Sequence, residues 1–285
     1  MVKNVLLDTD IGDDIDDAFA LALCLRHPDI HLVGVTTVRG DTQARAALVR
    51  YLAERAGARV DVVAGTRDAL DFIVQSYRPN QADVLGEREP EYRLNRSDGV
   101  RFMAEAARKH DDLVLVSIGP LTNVARFILE YPNEFKRVSK MIIMGGHLIS
   151  DWAGPEYNFS ADPRAASIVI NAQKPKFVVG LDVTMKCVLG EEYQKKIFLK
   201  DTPLTAALRE MKSLWYNSLN TKREPIMHDP LAVMSAVEDF VDFEKVGLGV
   251  DDEGRCLRDQ RAASCMFAKE VREKEFLKRL VEIIG

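Results

Sequence analysis

Between positions 8 and 17 the chain reads DTDIGDDIDD, six aspartates in ten residues, directly after the apolar stretch NVLL. Two carboxylates about 4 Å apart repel by roughly 1 kcal/mol in water, and by several times that in a less polar cleft. Six cannot crowd together ionised without compensation. A hard divalent cation accepts several oxygen ligands and reverses the cost, and a helix amino terminus beginning near Asp16 or Asp17 adds partial positive charge. Calcium is favoured over magnesium if the remaining ligands include backbone carbonyls. The plainer alternative makes Asp13 and Asp14 solvated loop residues and lets Asp16 or Asp17 cap a helix. One helix needs only one cap, however, and a strand end delivers Asp8 and Asp10.

Two further stretches carry chemistry. HDP, residues 228 to 230, opens the run LAVMSAV. Neighbouring side chains diverge, so Asp229 is able to ligate a cation while His228 faces another part of the same cleft; the bland reading is a helix start. In MGGHLISDWAGPEYNFSADP, residues 144 to 163, the paired glycines permit close backbone approach. Glu156 and Asn158 there offer acceptors and donors suited to hydroxyl groups, and Met144 otherwise reads as core.

These residues need a scaffold. NVLLD (4–8) reads as a buried strand, residues 18–25 as a helix and HLVGVTTV (31–38) as a second strand. Helices near 42–56, 98–109, 121–130 and 163–171 then alternate with strands at 60–64, 112–117, 140–145 and 176–180. A mostly parallel central sheet flanked by helices follows, in one α/β domain over residues 1–285. Residues 66–97 break the rhythm and read as an irregular insertion, able to serve as a flap. The carboxyl third reads as helical around 191–198, 203–218 and 229–237, before a strand near 262–267 and a terminal helix. Such sheets bind ligands at the carboxyl ends of their strands, where the aspartates, residues 39–41, residues 118–120 and the loop after MIIMGG converge.

Composition narrows the partners. With 285 residues, 47% hydrophobic, and a formal net charge of −5, the chain suits small molecules rather than nucleic acid. Its apolar start is too short for a signal-peptide core and no run approaches the roughly 18 residues of a membrane span, so a cytoplasmic protein without membrane contact is expected. Cys24, Cys187, Cys256 and Cys265 lie far apart without CxxC spacing, which predicts reduced thiols.

In order, LDTDIGDDIDDA (7–18), VTTVRGD (35–41), SIGPLTNVA (117–125), IIMGG (142–146), PEYNFSADPRAA (155–166), GLDVT (180–184) and HDP (228–230) resemble the inosine-uridine-preferring nucleoside hydrolase family across most of the chain. The resemblance implies a single Rossmann-like domain with additional C-terminal helices, and hydrolysis of ribonucleosides to base and ribose with Ca²⁺. It implies Asp10, Asp17, Asp229 and the Ile118 carbonyl as calcium ligands, Asp10 also as general base, and His228 as the acid for the departing base. Asp16, Asn158 and Glu156 would hold the ribose hydroxyls, with Asp41 and Met144 also on the substrate side. A homodimer or homotetramer is the implied assembly.

Departures from the family pattern concern the base side and the loop. An extra acidic residue lies within Asp13 and Asp14, Asp41 stands where asparagine is frequent, residues 66–97 lack a histidine-glycine pair, and the loop at 147–154 is short. Tyr77, Trp152, Phe159 and Trp215 are the aromatic candidates for stacking on a base. Two rival readings are a non-catalytic nucleoside or ribose binder, and a magnesium-dependent phosphohydrolase using Asp8 as nucleophile in a DxD motif.

Overall fold

The computed structural model describes residues 1–285 apart from 76, 95, 96 and 220–222. Its strands are β1 Lys3–Thr9, β2 Ile30–Thr37, β3 Val62–Ala64, β4 Val114–Ser117, β5 Lys140–Met144, β6 Lys176–Val179, β7 Val241–Val250, β8 Cys256–Arg258 and β9 Ser264–Val271. They form one sheet in the order β3-β2-β1-β4-β5-β6-β9-β7-β8. The first seven in that order run parallel, while β7 is antiparallel to β9 and β8 to β7.

β1 shows why a nearly continuous apolar run makes a central strand. Val5 and Leu7 join the hydrophobic cluster on one face of the sheet and Leu6 joins the cluster on the other, all three fully buried. β2 flanks β1 on one side and β4 on the other, so strand order reverses there. The crevice outside the carboxyl ends of β1 and β4 is therefore the binding position that topology provides.

Two expectations need correction. The helices read in the carboxyl third are present as Glu191–Phe198, Pro203–Leu219 and His228–Met234, but two strands escaped the sequence reading: after the His228–Met234 helix come β7, ten residues long, and β8, which with β9 make an antiparallel extension before the Glu273–Ile284 helix. VDFEKVGLGV carries charges and two glycines because β7 is only half buried, which hides its alternation. The insertion is also more ordered than expected. Residues Asn80–Arg88 form 3₁₀ turns and Glu89–Tyr92 a helical turn, with Gln81, Ala82, Leu85 and Tyr92 buried; positions 76, 95 and 96 of that segment lie outside the described residues. All four cysteines are free, and among the described residues no helix is long and apolar enough to cross a membrane.

Candidate active site

After Thr9 the chain turns through residues 10–15 into the Asp16–Arg26 helix. Gly12 makes that turn possible: its φ is +123°, and a Cβ there would stand 2.6 Å from Pro79 Cβ. Ile15 begins the helix without a side-chain cap, and Asp14 Oδ1 accepts the Ile15 N–H at 2.7 Å. Asp16 and Asp17 are thus not spent on capping their own helix.

They turn elsewhere. Asp17 Oδ1 accepts from the Thr9 hydroxyl at 2.5 Å, and Asp16 Oδ2 accepts the N–H of Asp229 at 3.1 Å. Asp229 sits in the first turn of the His228–Met234 helix, so two helix amino termini meet at one group of carboxylates. One oxygen from each of Asp16, Asp17 and Asp229 lies within 4.8 Å of the others, and all three residues are buried.

Asp10 stands beside them. It is 6% exposed, and its Oδ1 is only 2.6 Å from where a Cβ on Gly119 would lie, so glycine alone lets the loop after β4 close against it. Burial pushes Asp10 up to about 6, against the pull of the Arg45 guanidinium. Asp16, Asp17 and Asp229 rise well above the ordinary carboxylate range, first through burial and then through neighbouring charge: Asp14 and Asp10 on Asp16, Asp10 and Asp16 on Asp17, and Asp16, Asp17 and Asp10 on Asp229. Arg45 lies near enough to lower Asp10 and Asp17, yet its hydrogen bonds go to Asp13, Tyr77 and backbone carbonyls.

The donor set is hard oxygen, buried and short of positive charge, which fits a divalent cation. In the chelated protein this crowding reverses the usual acid response. Carboxylates whose folded pKa is raised keep protons that the unfolded chain has lost, so stability declines as pH rises from about 4 through 7. Melting in EDTA is therefore expected at a higher temperature at pH 5 than at pH 7.5, with a saturating divalent cation narrowing the difference. A melting temperature that climbs with pH in EDTA would count against the cluster as placed.

Across the crevice, the β5 loop supplies a second polar group. Glu156 caps the Tyr157–Ala161 helix: Oε1 accepts from Asn158 N at 2.7 Å, and Oε2 from Gly146 N at 2.9 Å and Phe159 N at 3.1 Å. Asn158 Nδ2 donates to the Ile118 carbonyl at 3.1 Å and to the Met144 carbonyl at 3.2 Å, with Met144 Sδ at 3.4 Å. One amide thereby ties the ends of β4 and β5 together. His228 is half buried, its Nδ1 is 2.7 Å from Thr184 Oγ1, and burial with help from Arg223 pushes its imidazole down to about 4.

Asp10, Asp16, Asp17 and Asp229 are thus brought together, while Ile118, Met144, Glu156 and Asn158 form one linked group beside them. Asp41 also has a structural contact. Its Oδ1 caps the Thr42–Arg55 helix by accepting the Ala44 N–H at 3.0 Å. Among the aromatic candidates, Phe159 and Trp215 are core residues at 0% and 1% exposure, so they drop out as stacking faces. Tyr77 and Trp152 remain partly exposed, and Trp152 lies 5.7 Å from the His147 ring. Asp8 is fully buried with one oxygen held by Thr36 Oγ1 at 2.7 Å and Asn123 Nδ2 at 2.8 Å, a poor position for the phosphohydrolase nucleophile.

Arg45 is the residue that sequence reasoning missed. It occupies the same helix stripe as Leu48, Val49 and Leu52, and is itself 0% exposed. A charge on an apolar stripe was the available signal.

The chain matches the family model described as inosine-uridine preferring nucleoside hydrolase over residues 5–278. A pyrimidine-specific ribonucleoside hydrolase RihA of Enterobacter sp. (strain 638) is 27% identical over 271 residues, covering 90% of this chain and 86% of the relative. A purine-preferring ribonucleoside hydrolase from Gardnerella vaginalis superposes with a TM-score of 0.82 at 26% identity, covering 99% of this chain and 98% of that one. The plant nucleoside hydrolase PpNRh1 has the same fold, with a TM-score of 0.86 at 22% identity over 100% of this chain and 99% of its own.

Proposed function

The chain belongs to the inosine-uridine preferring nucleoside hydrolase family, and from that membership and the carboxylate rim we propose that it hydrolyses the N-glycosidic bond of ribonucleosides with calcium as cofactor. The observation carrying the reading is the buried group of Asp16, Asp17 and Asp229, which is electrostatically costly without a cation. Asp10, Asp17, Asp229 and the Ile118 carbonyl are the proposed ligands, and mixed carboxylate and carbonyl oxygen favours calcium over magnesium. When bound, the ion offsets the carboxylate charge and acidifies a water at the site.

The protein's own groups do the rest. Asp10 takes the proton of the attacking water, a role for which a base with a raised pKa is suited. Asp16, Glu156 and Asn158 receive the ribose hydroxyls; with Asn158 Nδ2 already engaged, its carbonyl oxygen is the free acceptor. Met144 and Asp41 border the sugar. Carboxylates around the ring stabilise the positive charge that develops on the ribose as the bond to the base lengthens. No enzyme nucleophile is needed, so attack opposite the base inverts the anomeric centre.

His228 meets the departing base. With its pKa held down to about 4 it is neutral at pH 7, and in the tautomer whose Nδ1 accepts the Thr184 hydroxyl, Nε2–H is available to donate toward the base. His228→Ala is expected to slow poor leaving groups about 100-fold and an activated nitrophenyl riboside only slightly. Equal losses on both substrates would remove His228 from leaving-group stabilisation.

The relatives named above are a pyrimidine-specific and a purine-preferring enzyme at nearly equal identity, so base preference is not inherited from either. The same reading takes 1–285 as one domain, supported by its single sheet, and places the protein in a reducing cytoplasm, supported by four free cysteines. A dimer or tetramer rests on the family resemblance alone. The direct test mixes purified protein, saturating calcium and a panel of purine and pyrimidine ribonucleosides, and measures reducing sugar. Tight nucleoside binding without ribose release from any substrate would select the non-catalytic binder instead.

A further inference from the structure

We propose that Arg45, Asp13 and Tyr77 form a positioning unit that sets the orientation of Asp10 and fastens residues 77–81 of the insertion to the aspartate loop. Only its consequence for turnover rests on the hydrolase reading above.

The guanidinium of Arg45 has five N–H donors, and five oxygens meet them. Nη1 donates to the carbonyls of Asp10 and, at 2.9 Å, Ile11; Nε donates to the Arg39 carbonyl at 2.8 Å. Nη2 donates to Asp13 Oδ2 at 2.7 Å and to the Tyr77 hydroxyl at 2.9 Å, and that hydroxyl donates to the same Asp13 oxygen at 2.8 Å. A buried guanidinium is tolerated only with such full compensation. Its planar fork holds the peptide planes on both sides of Ile11 at once, and this fixes the direction in which the Asp10 side chain leaves the backbone.

The insertion joins through the same corner. The Tyr77 ring lies 5.6 Å from the Arg45 guanidinium and would be 3.2 Å from a Cβ on Gly40. Further along, Gln81 N donates to the Gly12 carbonyl at 3.0 Å, Asn80 Nδ2 to the Asp13 carbonyl at 3.4 Å and Gln81 Nε2 to the Asp14 carbonyl at 2.7 Å. Three successive residues of the aspartate loop are therefore held by the insertion. Asp13 is the carboxylate partner that lets a buried arginine sit beside the Asp10 backbone.

Arg45→Met removes all five bonds and risks unfolding, so Tyr77→Phe and Asp13→Asn are the informative variants. Tyr77→Phe keeps the ring and deletes only the shared hydroxyl. Both are expected to melt within a few degrees of wild type, to exchange the backbone amides of residues 10–15 about 10-fold faster, and to lose about 10-fold in kcat with KM within about 2-fold. Wild-type amide exchange in both variants would overturn the tie. Faster exchange with unchanged kcat would overturn its effect on Asp10. If wild type itself releases no ribose, the hydrolase reading falls while the exchange measurement still decides the tie.

Discussion

Asp10→Ala is expected to lower kcat by about 1,000-fold, close to 4 kcal/mol of transition-state stabilisation, because it removes the proposed base and one ligand together. Asp10→Asn separates those roles. The amide keeps the size of the side chain and one oxygen that can face a cation, but it cannot accept the proton of water at neutral pH. It should therefore retain measurable calcium binding while losing nearly as much in kcat as the alanine variant. KM should change little, since the sugar hydroxyls are assigned to Asp16, Glu156 and Asn158. Calorimetric calcium titration beside steady-state kinetics checks both halves. Asp10→Asn turning over at more than about a tenth of the wild-type rate would remove Asp10 as the base.

Asp229→Asn should produce a less familiar pattern, a gain in stability without metal and a loss of function with it. Charges within 4.8 Å repel by about 3 kcal/mol at an effective dielectric of 20, a cost eased because burial raises the pKa of these groups. The substitution keeps the backbone N–H to Asp16 Oδ2 and removes one charge of the group. In EDTA the variant should melt roughly 3 °C above wild type. Calcium at 100 times its Kd should raise wild type by roughly 5 °C, corresponding to about 2.7 kcal/mol, and leave the variant nearly unmoved. Hydrolysis should fall with the lost ion. A wild-type calcium response in Asp229→Asn would show that the ion binds elsewhere and would dismantle the reading of the rim.

Much of this rim is legible in the sequence. Strands such as NVLLD and KMIIM are continuous apolar runs because both faces of a parallel sheet are covered, and each is followed by polar residues that cannot continue it. Aspartates at positions 10, 16 and 17 follow from that position at a strand end. β7 was not legible, since VDFEKVGLGV is a half-buried antiparallel extension whose apolar alternation is broken by charge and glycine.

By itself the sequence determined the alternating scaffold, the family resemblance and the types of group gathered at the strand ends, since these depend on local periodicity and on motifs a few residues long. Tertiary structure alone decided that Asp229, more than two hundred residues downstream, meets Asp16 through a backbone N–H. It also assigned Glu156 and Asp41 to helix caps, placed Phe159 and Trp215 in the core, and put Arg45 beneath the aspartate loop. Each of those outcomes depends on which distant groups share a low-dielectric space, and burial and hydrogen-bond partners across the sheet are set only when the strands are assembled.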